Sequence, residues 1–204
     1  MKIGILGGTF NPVHIGHLML GEYAYEQFGL DEIWFMPNGN PPHKEVPYYK
    51  NGLAQRLDML RLAIEGVPYF KLNLHEANDS KHSFTYQTLK EFNFLYPEHE
   101  FYFIVGADSL FSIEEWRNYR EIFPYCTLLA AMRDDKVTED MIKQMRYLVQ
   151  KYNAEIKLLN APKFEISSSE LRDRIQNHKS IRYMVPDTVE RYIRENNVYT
   201  AEEI

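Results

Sequence analysis

The chain has 204 residues, 45% of them apolar, which suits one domain with a core of ordinary size. Its 23 basic and 29 acidic residues leave a net charge of −6. That balance argues against non-specific nucleic-acid binding, and it requires any anionic ligand to be held by locally gathered positive groups. No apolar run reaches membrane-spanning length, no signal-peptide pattern opens the chain, and one cysteine leaves no internal disulfide, so a cytoplasmic protein without a membrane partner is expected.

The first strand is expected over 2–6, a short apolar run. It leads into Gly7-Gly8-Thr9-Phe10-Asn11-Pro12-Val13-His14-Ile15-Gly16-His17, and a helix is predicted over 15–28. Backbone N–H groups in a glycine turn and at a helix N-terminus carry partial positive charge, so this junction is a candidate phosphate site. His14 and His17 share one helix face and can donate to the same phosphate. Taken singly, these features are weak. Strand-Gly-Gly is common in α/β domains, and the dinucleotide fingerprint G-x-G-x-x-G is missing. The histidines are also open to surface or metal-ligand readings, but zinc needs a third ligand, and Cys126 and the scattered histidines offer no spaced partner.

The second strand is expected over 32–36, followed by a loop over 37–44 in a stretch, 37–51, with four prolines. That stretch carries Lys44 and is expected to be mobile and to close over a ligand. Further helices are predicted over 54–64, 85–95, 139–151, 168–176 and 188–195, and strands over 70–74, 101–105, 127–131 and 155–159. Cys126 reads as a buried core thiol. The alternation implies an α/β fold, a doubly wound Rossmann-like parallel sheet. The expected organisation is a single unit over 1–204, with a core to about 160 and a small helical C-terminal cap after it. Ligands of such sheets bind at the strand C-termini, where the loops 7–14, 37–44 and 106–109 fall.

Two segments then carry a resemblance. Gly7 to His17 resembles the G-x-F-x-P-x-H-x-G-H signature of the nucleotidyltransferases, and Ile166-Ser167-Ser168-Ser169-Glu170-Leu171-Arg172 resembles their I-S-S-T-x-x-R signature, with Ser169 keeping the hydroxyl. Pro41-Pro42-His43-Lys44, Gly106-Ala107-Asp108-Ser109-Leu110 and Ser83-Phe84-Thr85 are similar to segments of the nicotinate-nucleotide adenylyltransferase branch. The usual S-Y-T-x-D-T run has Phe84 for Tyr and Gln87 for Asp here.

The resemblance implies transfer of the adenylyl group of ATP, with Mg²⁺ carried on the triphosphate, to nicotinate mononucleotide. Such a reaction needs no protein nucleophile, only positioning and charge stabilisation. It implies catalytic roles for His14, His17, Lys44 and Arg172. It implies ATP contacts from Gly7, Gly8, Thr9, Phe10, Gly106, Asp108, Ile166, Ser167 and Ser168, and acceptor contacts from Thr85 and Trp116. No resident metal site and no nucleic-acid partner are expected, and the chain is expected as a monomer or homodimer. Each residue has a plainer reading: Lys44 as a solvated cation, the serines as a helix cap, Asp108 as an N-cap, Trp116 as packing. Competing functions are transfer to nicotinamide mononucleotide or pantetheine phosphate, or a non-catalytic nucleotide-binding domain.

Overall fold

Six parallel strands alternate with helices in the computed structural model, which describes residues 1–39, 52–77, 84–131, 138–162 and 165–200. In chain order these are β1 (Lys2–Gly8), α1 (Ile15–Phe28), β2 (Glu32–Pro37), α2 (Gly52–Ile64), β3 (Phe70–Leu72), α3 (Thr85–Leu95), β4 (Glu100–Gly106), α4 (Ala107–Ser112), β5 (Thr127–Ala131), α5 (Glu139–Tyr152), β6 (Glu155–Leu159), α6 (Ser168–Gln176) and α7 (Asp187–Glu195). The sheet order β3-β2-β1-β4-β5-β6 is that of a Rossmann sheet, with its switch point between β1 and β4.

The strands are apolar on both faces because both are covered. Alternation along β1 sends Leu6 to one face and Ile3 and Ile5 to the other. The first face packs against Ala24 of α1, Met59 and Leu60 of α2, Leu171 of α6 and Val189 and Ile193 of α7. The second packs against Leu89 and Phe92 of α3, Leu110 of α4 and Met141 and Leu148 of α5. Gly21 lets α1 lie close to the sheet, since a Cβ there would stand 3.1 Å from the Phe35 ring. Cys126 is buried, and burial pushes its thiol pKa up, as expected of a core cysteine.

The edge strand β6 is met by α1. The Gln27 side-chain amide donates to the Leu158 carbonyl at 2.8 Å, and its oxygen accepts from the Asn160 amide at 2.9 Å. Helix α7 packs on α2, where the Tyr192 hydroxyl donates to Asp58 and the Thr188 hydroxyl to the Leu62 carbonyl.

Several boundaries differ from those expected. Gly7 and Gly8 belong to β1, because that strand keeps pairing with β2 up to Gly8 opposite Pro37. The expected loop over 106–109 is the end of β4 and the start of α4, and three short 3₁₀ turns follow between Ile113 and Tyr125. Their lengths of three to six residues leave too few periods for a hydrophobic pattern to declare itself. Strand β3 is only three residues long.

Candidate active site

The turn after β1 is built around Phe10. Its backbone is left-handed, with φ of 47°, so the residue that bends the chain is not one of the glycines. A bulky residue holds that conformation only when its surroundings repay the strain. Here the Phe10 ring is buried, edge-on to His17 at 5.0 Å and tilted against Phe35 at 6.0 Å. It also lies over Gly8, where a Cβ would come within 3.2 Å of the ring. Gly8 is therefore needed for room.

Four side chains from elsewhere in the chain hold this turn by its oxygen atoms. Arg56 of α2 donates to the Thr9 carbonyl at 2.6 Å, and Arg172 of α6 to the Asn11 carbonyl at 2.7 Å. The Ser168 hydroxyl donates to the Pro12 carbonyl at 2.9 Å, and the Tyr199 hydroxyl to Oδ1 of Asn11 at 2.5 Å. Among the described residues the Thr9 and Phe10 amides meet no protein acceptor. The two sequence signatures thus dock on each other, and the turn keeps donors to spare.

His14 is the N-cap of α1 and His17 stands at its third position. Their rings stack with centroids 3.7 Å apart and planes 27° apart. The His14 backbone N–H donates to Nδ1 of His17 at 3.2 Å, which places the neutral His17 proton on Nε2. Nδ1 of His14 is buried with no partner among the described residues. Burial pushes the His14 pKa down to about 4. Burial, and secondarily the neighbouring His14, holds His17 well below the usual imidazole range. At neutral pH the pair is therefore uncharged.

The second signature opens α6. Ser167 is its N-cap, accepting from the Glu170 amide at 3.1 Å, so the capping reading holds. Ile166 packs against the first core cluster. At the end of β4, Gly106 has a negative φ of −72°, and a Cβ there would meet open space. Asp108 is exposed in the first turn of α4, whose N-cap is Gly106, so the N-cap reading of Asp108 is corrected.

Thr85 and Trp116 come from α3 and from the end of the first 3₁₀ turn. The Arg117 guanidinium stands 4.8 Å over the Phe84 ring, which brings these two segments together. Trp116 is half-buried and edge-on to Phe103 of β4 at 6.3 Å. The N-cap of α3 is Phe84, with no side-chain cap, so Thr85 is a first-turn residue. Lys44 and most of the expected mobile stretch lie outside the described residues.

Sequence reasoning missed Arg56, Tyr199 and the Glu76–Thr88 pair. Arg56 had a signal: it occupies the stripe of Met59, Leu60 and Ala63 on α2, where a charge breaks the apolar pattern. Tyr199 had none, being joined to Asn11 across 188 positions.

Comparison with known proteins shows the family and the fold. The profile of the cytidylyltransferase-like family matches residues 5–174. A Lachnoclostridium phytofermentans protein named "probable nicotinate-nucleotide adenylyltransferase" is 40% identical, covering 97% of this chain and 98% of its own. An Oceanobacillus iheyensis protein of the same name is 38% identical, covering 97% and 96%. In fold, the chain is similar to the Plasmodium falciparum nicotinic acid mononucleotide adenylyltransferase solved with NaAD, at a TM-score of 0.78 and 24% identity, with 97% of each chain covered.

Proposed function

Because the chain belongs to the cytidylyltransferase-like family, in its nicotinate-nucleotide adenylyltransferase branch, we infer that it transfers the adenylyl group of ATP to nicotinate mononucleotide. The products are nicotinate adenine dinucleotide and pyrophosphate, a step of NAD biosynthesis. A phosphate oxygen of the acceptor bonds to the α-phosphorus. The bond from that phosphorus to the α,β-bridging oxygen breaks, and pyrophosphate leaves with the electron pair. The observation that carries the reading is the stacked, neutral His14–His17 pair beside donor-rich backbone at the switch point of the sheet.

In this reading the residues divide the work by place. Gly7, Gly8, Thr9 and Phe10 line the phosphate turn. His17 aims Nε2–H at the phosphates, and His14 takes up a proton when the triphosphate offsets the cost of its burial. Arg172 and Lys44 balance the charge on the leaving pyrophosphate, with Ile166, Ser167 and Ser168 framing that end. Gly106 and Asp108 face the ATP ribose. Thr85 and the first-turn amides of α3, left without a side-chain cap, meet the nicotinate carboxylate while Trp116 stacks on the pyridine.

Three or more His, Cys, Asp or Glu side chains do not gather as metal ligands among the described residues. We propose that the divalent cation is carried on the triphosphate, as Mg²⁺, where it neutralises charge. No helix among the described residues is long and apolar enough to cross a membrane. A cytoplasmic monomer or homodimer with small-molecule partners, not nucleic acid, completes the proposal, together with a single unit over 1–204.

The test is incubation with ATP, Mg²⁺ and, separately, nicotinate mononucleotide, nicotinamide mononucleotide and pantetheine phosphate, with pyrophosphate as readout. A carboxylate accepts from fixed amides, whereas a carboxamide presents its own N–H₂ to them, so kcat/KM should favour nicotinate by about 10³. Release with pantetheine phosphate alone would overturn the assignment.

A further inference from the structure

We propose that Arg56 is a positioning residue for the adenylyl transfer, locking the phosphate turn after β1 to the chain leaving β2 so that donor and acceptor meet in line. The proposal rests on the reaction assigned above. Arg56 sits on the apolar face of α2 and is only 3% exposed. A buried guanidinium is retained only where its charge and donors are answered. Among the described residues its two terminal nitrogens meet backbone carbonyls on two different loops. Nη1 donates to Thr9 at 2.6 Å, and Nη2 to Asn38 at 2.7 Å and Gly39 at 3.1 Å.

Those loops serve different substrates in the proposed reaction. Thr9 begins the phosphate turn. Gly39 leads toward the acceptor, since its amide donates to the Glu76 carbonyl at 3.1 Å, and a Glu76 carboxylate oxygen accepts from the Thr88 hydroxyl at 2.8 Å. Thr88 lies three residues beyond Thr85 on α3. One run of bonds therefore links Thr9, Arg56, Gly39, Glu76 and Thr88. The braces from Ser168, Arg172 and Tyr199 hold only the phosphate turn, whereas Arg56 also grips the chain beyond β2.

Its charge has a second effect. The Thr9 carbonyl and the Phe10 N–H are two ends of one peptide unit. A cation on the oxygen polarises the unit and makes that N–H, free of protein acceptors among the described residues, a stronger donor to phosphate. A lysine keeps the charge but lacks the planar fork that spans both loops.

The experiment is Arg56→Lys, with kcat measured beside the separate dissociation constants for ATP and nicotinate mononucleotide. Misalignment of two correctly bound substrates should lower kcat by about 100-fold and leave each dissociation constant within about threefold. A kcat within about threefold of wild type, or binding weakened as much as turnover, would overturn the proposal. Should Arg56→Lys fail to fold, Thr88→Val cuts the far end of the same run. It should cost kcat about fivefold at unchanged binding of ATP, and full activity would overturn the proposal. Wild-type protein in the same assay separates the two readings. Without wild-type turnover the reaction assignment fails; an active wild type with an unimpaired Arg56→Lys defeats only the role of Arg56.

Discussion

The proposed phosphate end and the proposed acceptor end of the site are held in different ways. Around the phosphate turn, four side chains from α2, α6 and the chain after α7 grip oxygens of Thr9, Asn11 and Pro12, and two imidazoles are stacked in place. Around the proposed acceptor site, among the described residues, short 3₁₀ turns, a cation–π contact, the buried Thr88–Glu76 bond and a helix start without a side-chain cap do the work. The difference follows the chemistry. A transition state with in-line geometry rewards a fixed cradle, whereas a group that is only recognised tolerates a site that finishes forming around it.

The sharpest break of this contrast is His14→Ala. A positioned donor to developing charge is worth roughly 3 kcal/mol, so kcat should fall by about 10² or more with the fold intact. Steady-state kinetics and circular dichroism check it, and an unchanged kcat would make His14 a bystander.

Acid should strain the phosphate end selectively. The His14 pKa lies near 4 in the folded chain against an ordinary 6.5, so the unfolded chain takes the proton first. Stability contributed by keeping this imidazole neutral is intact above about pH 6.5 and is lost as pH falls toward 4, by up to about 3 kcal/mol. Thermal midpoints across that window should fall less in His14→Ala, and less in wild type when a non-hydrolysable ATP analogue is bound.

Arg172→Ala should weaken use of ATP more than binding of nicotinate mononucleotide, because it removes one brace of the turn and, in the proposed reaction, a charge beside the triphosphate. Loss of a charge-assisted bond is worth about 1.5–3 kcal/mol, or roughly 10- to 100-fold in kcat/KM for ATP. Separate titrations decide, and a larger effect on the acceptor would reverse the role. The smallest change belongs to the looser end. Phe84→Tyr keeps a ring under Arg117 and should alter KM for nicotinate mononucleotide by less than about threefold.

The sheet was legible because its strands are short apolar runs between amphipathic helices, and His14, His17 and Arg172 were legible through their signatures. What stayed hidden is held by tertiary contact. Phe10 adopts a backbone shape that its residue type disfavours, and only the packing of His17, Phe35 and Gly8 explains it. The Tyr199–Asn11 bond joins distant positions with no periodic trace. Helix α4 and the 3₁₀ turns carry Asp108 and Trp116 on elements shorter than two helical turns, below what periodicity resolves. Arg56 was visible as a misplaced charge, but its partners are carbonyls, which a sequence does not display.

Helix α1 is pinned at both ends like an axle in two bearings. At its start the Ile15 amide is taken by the Met184 carbonyl, and in its last turn the Gln27 side-chain amide bonds to the outer rim of β6 as a neighbouring strand's backbone would. Twelve residues, about 18 Å of rod, separate these bearings. The helix can neither slide along its axis nor roll about it without breaking a bond at one end. The angle at which His14 and His17 face the phosphate turn is therefore set partly by an amide at the far side of the sheet.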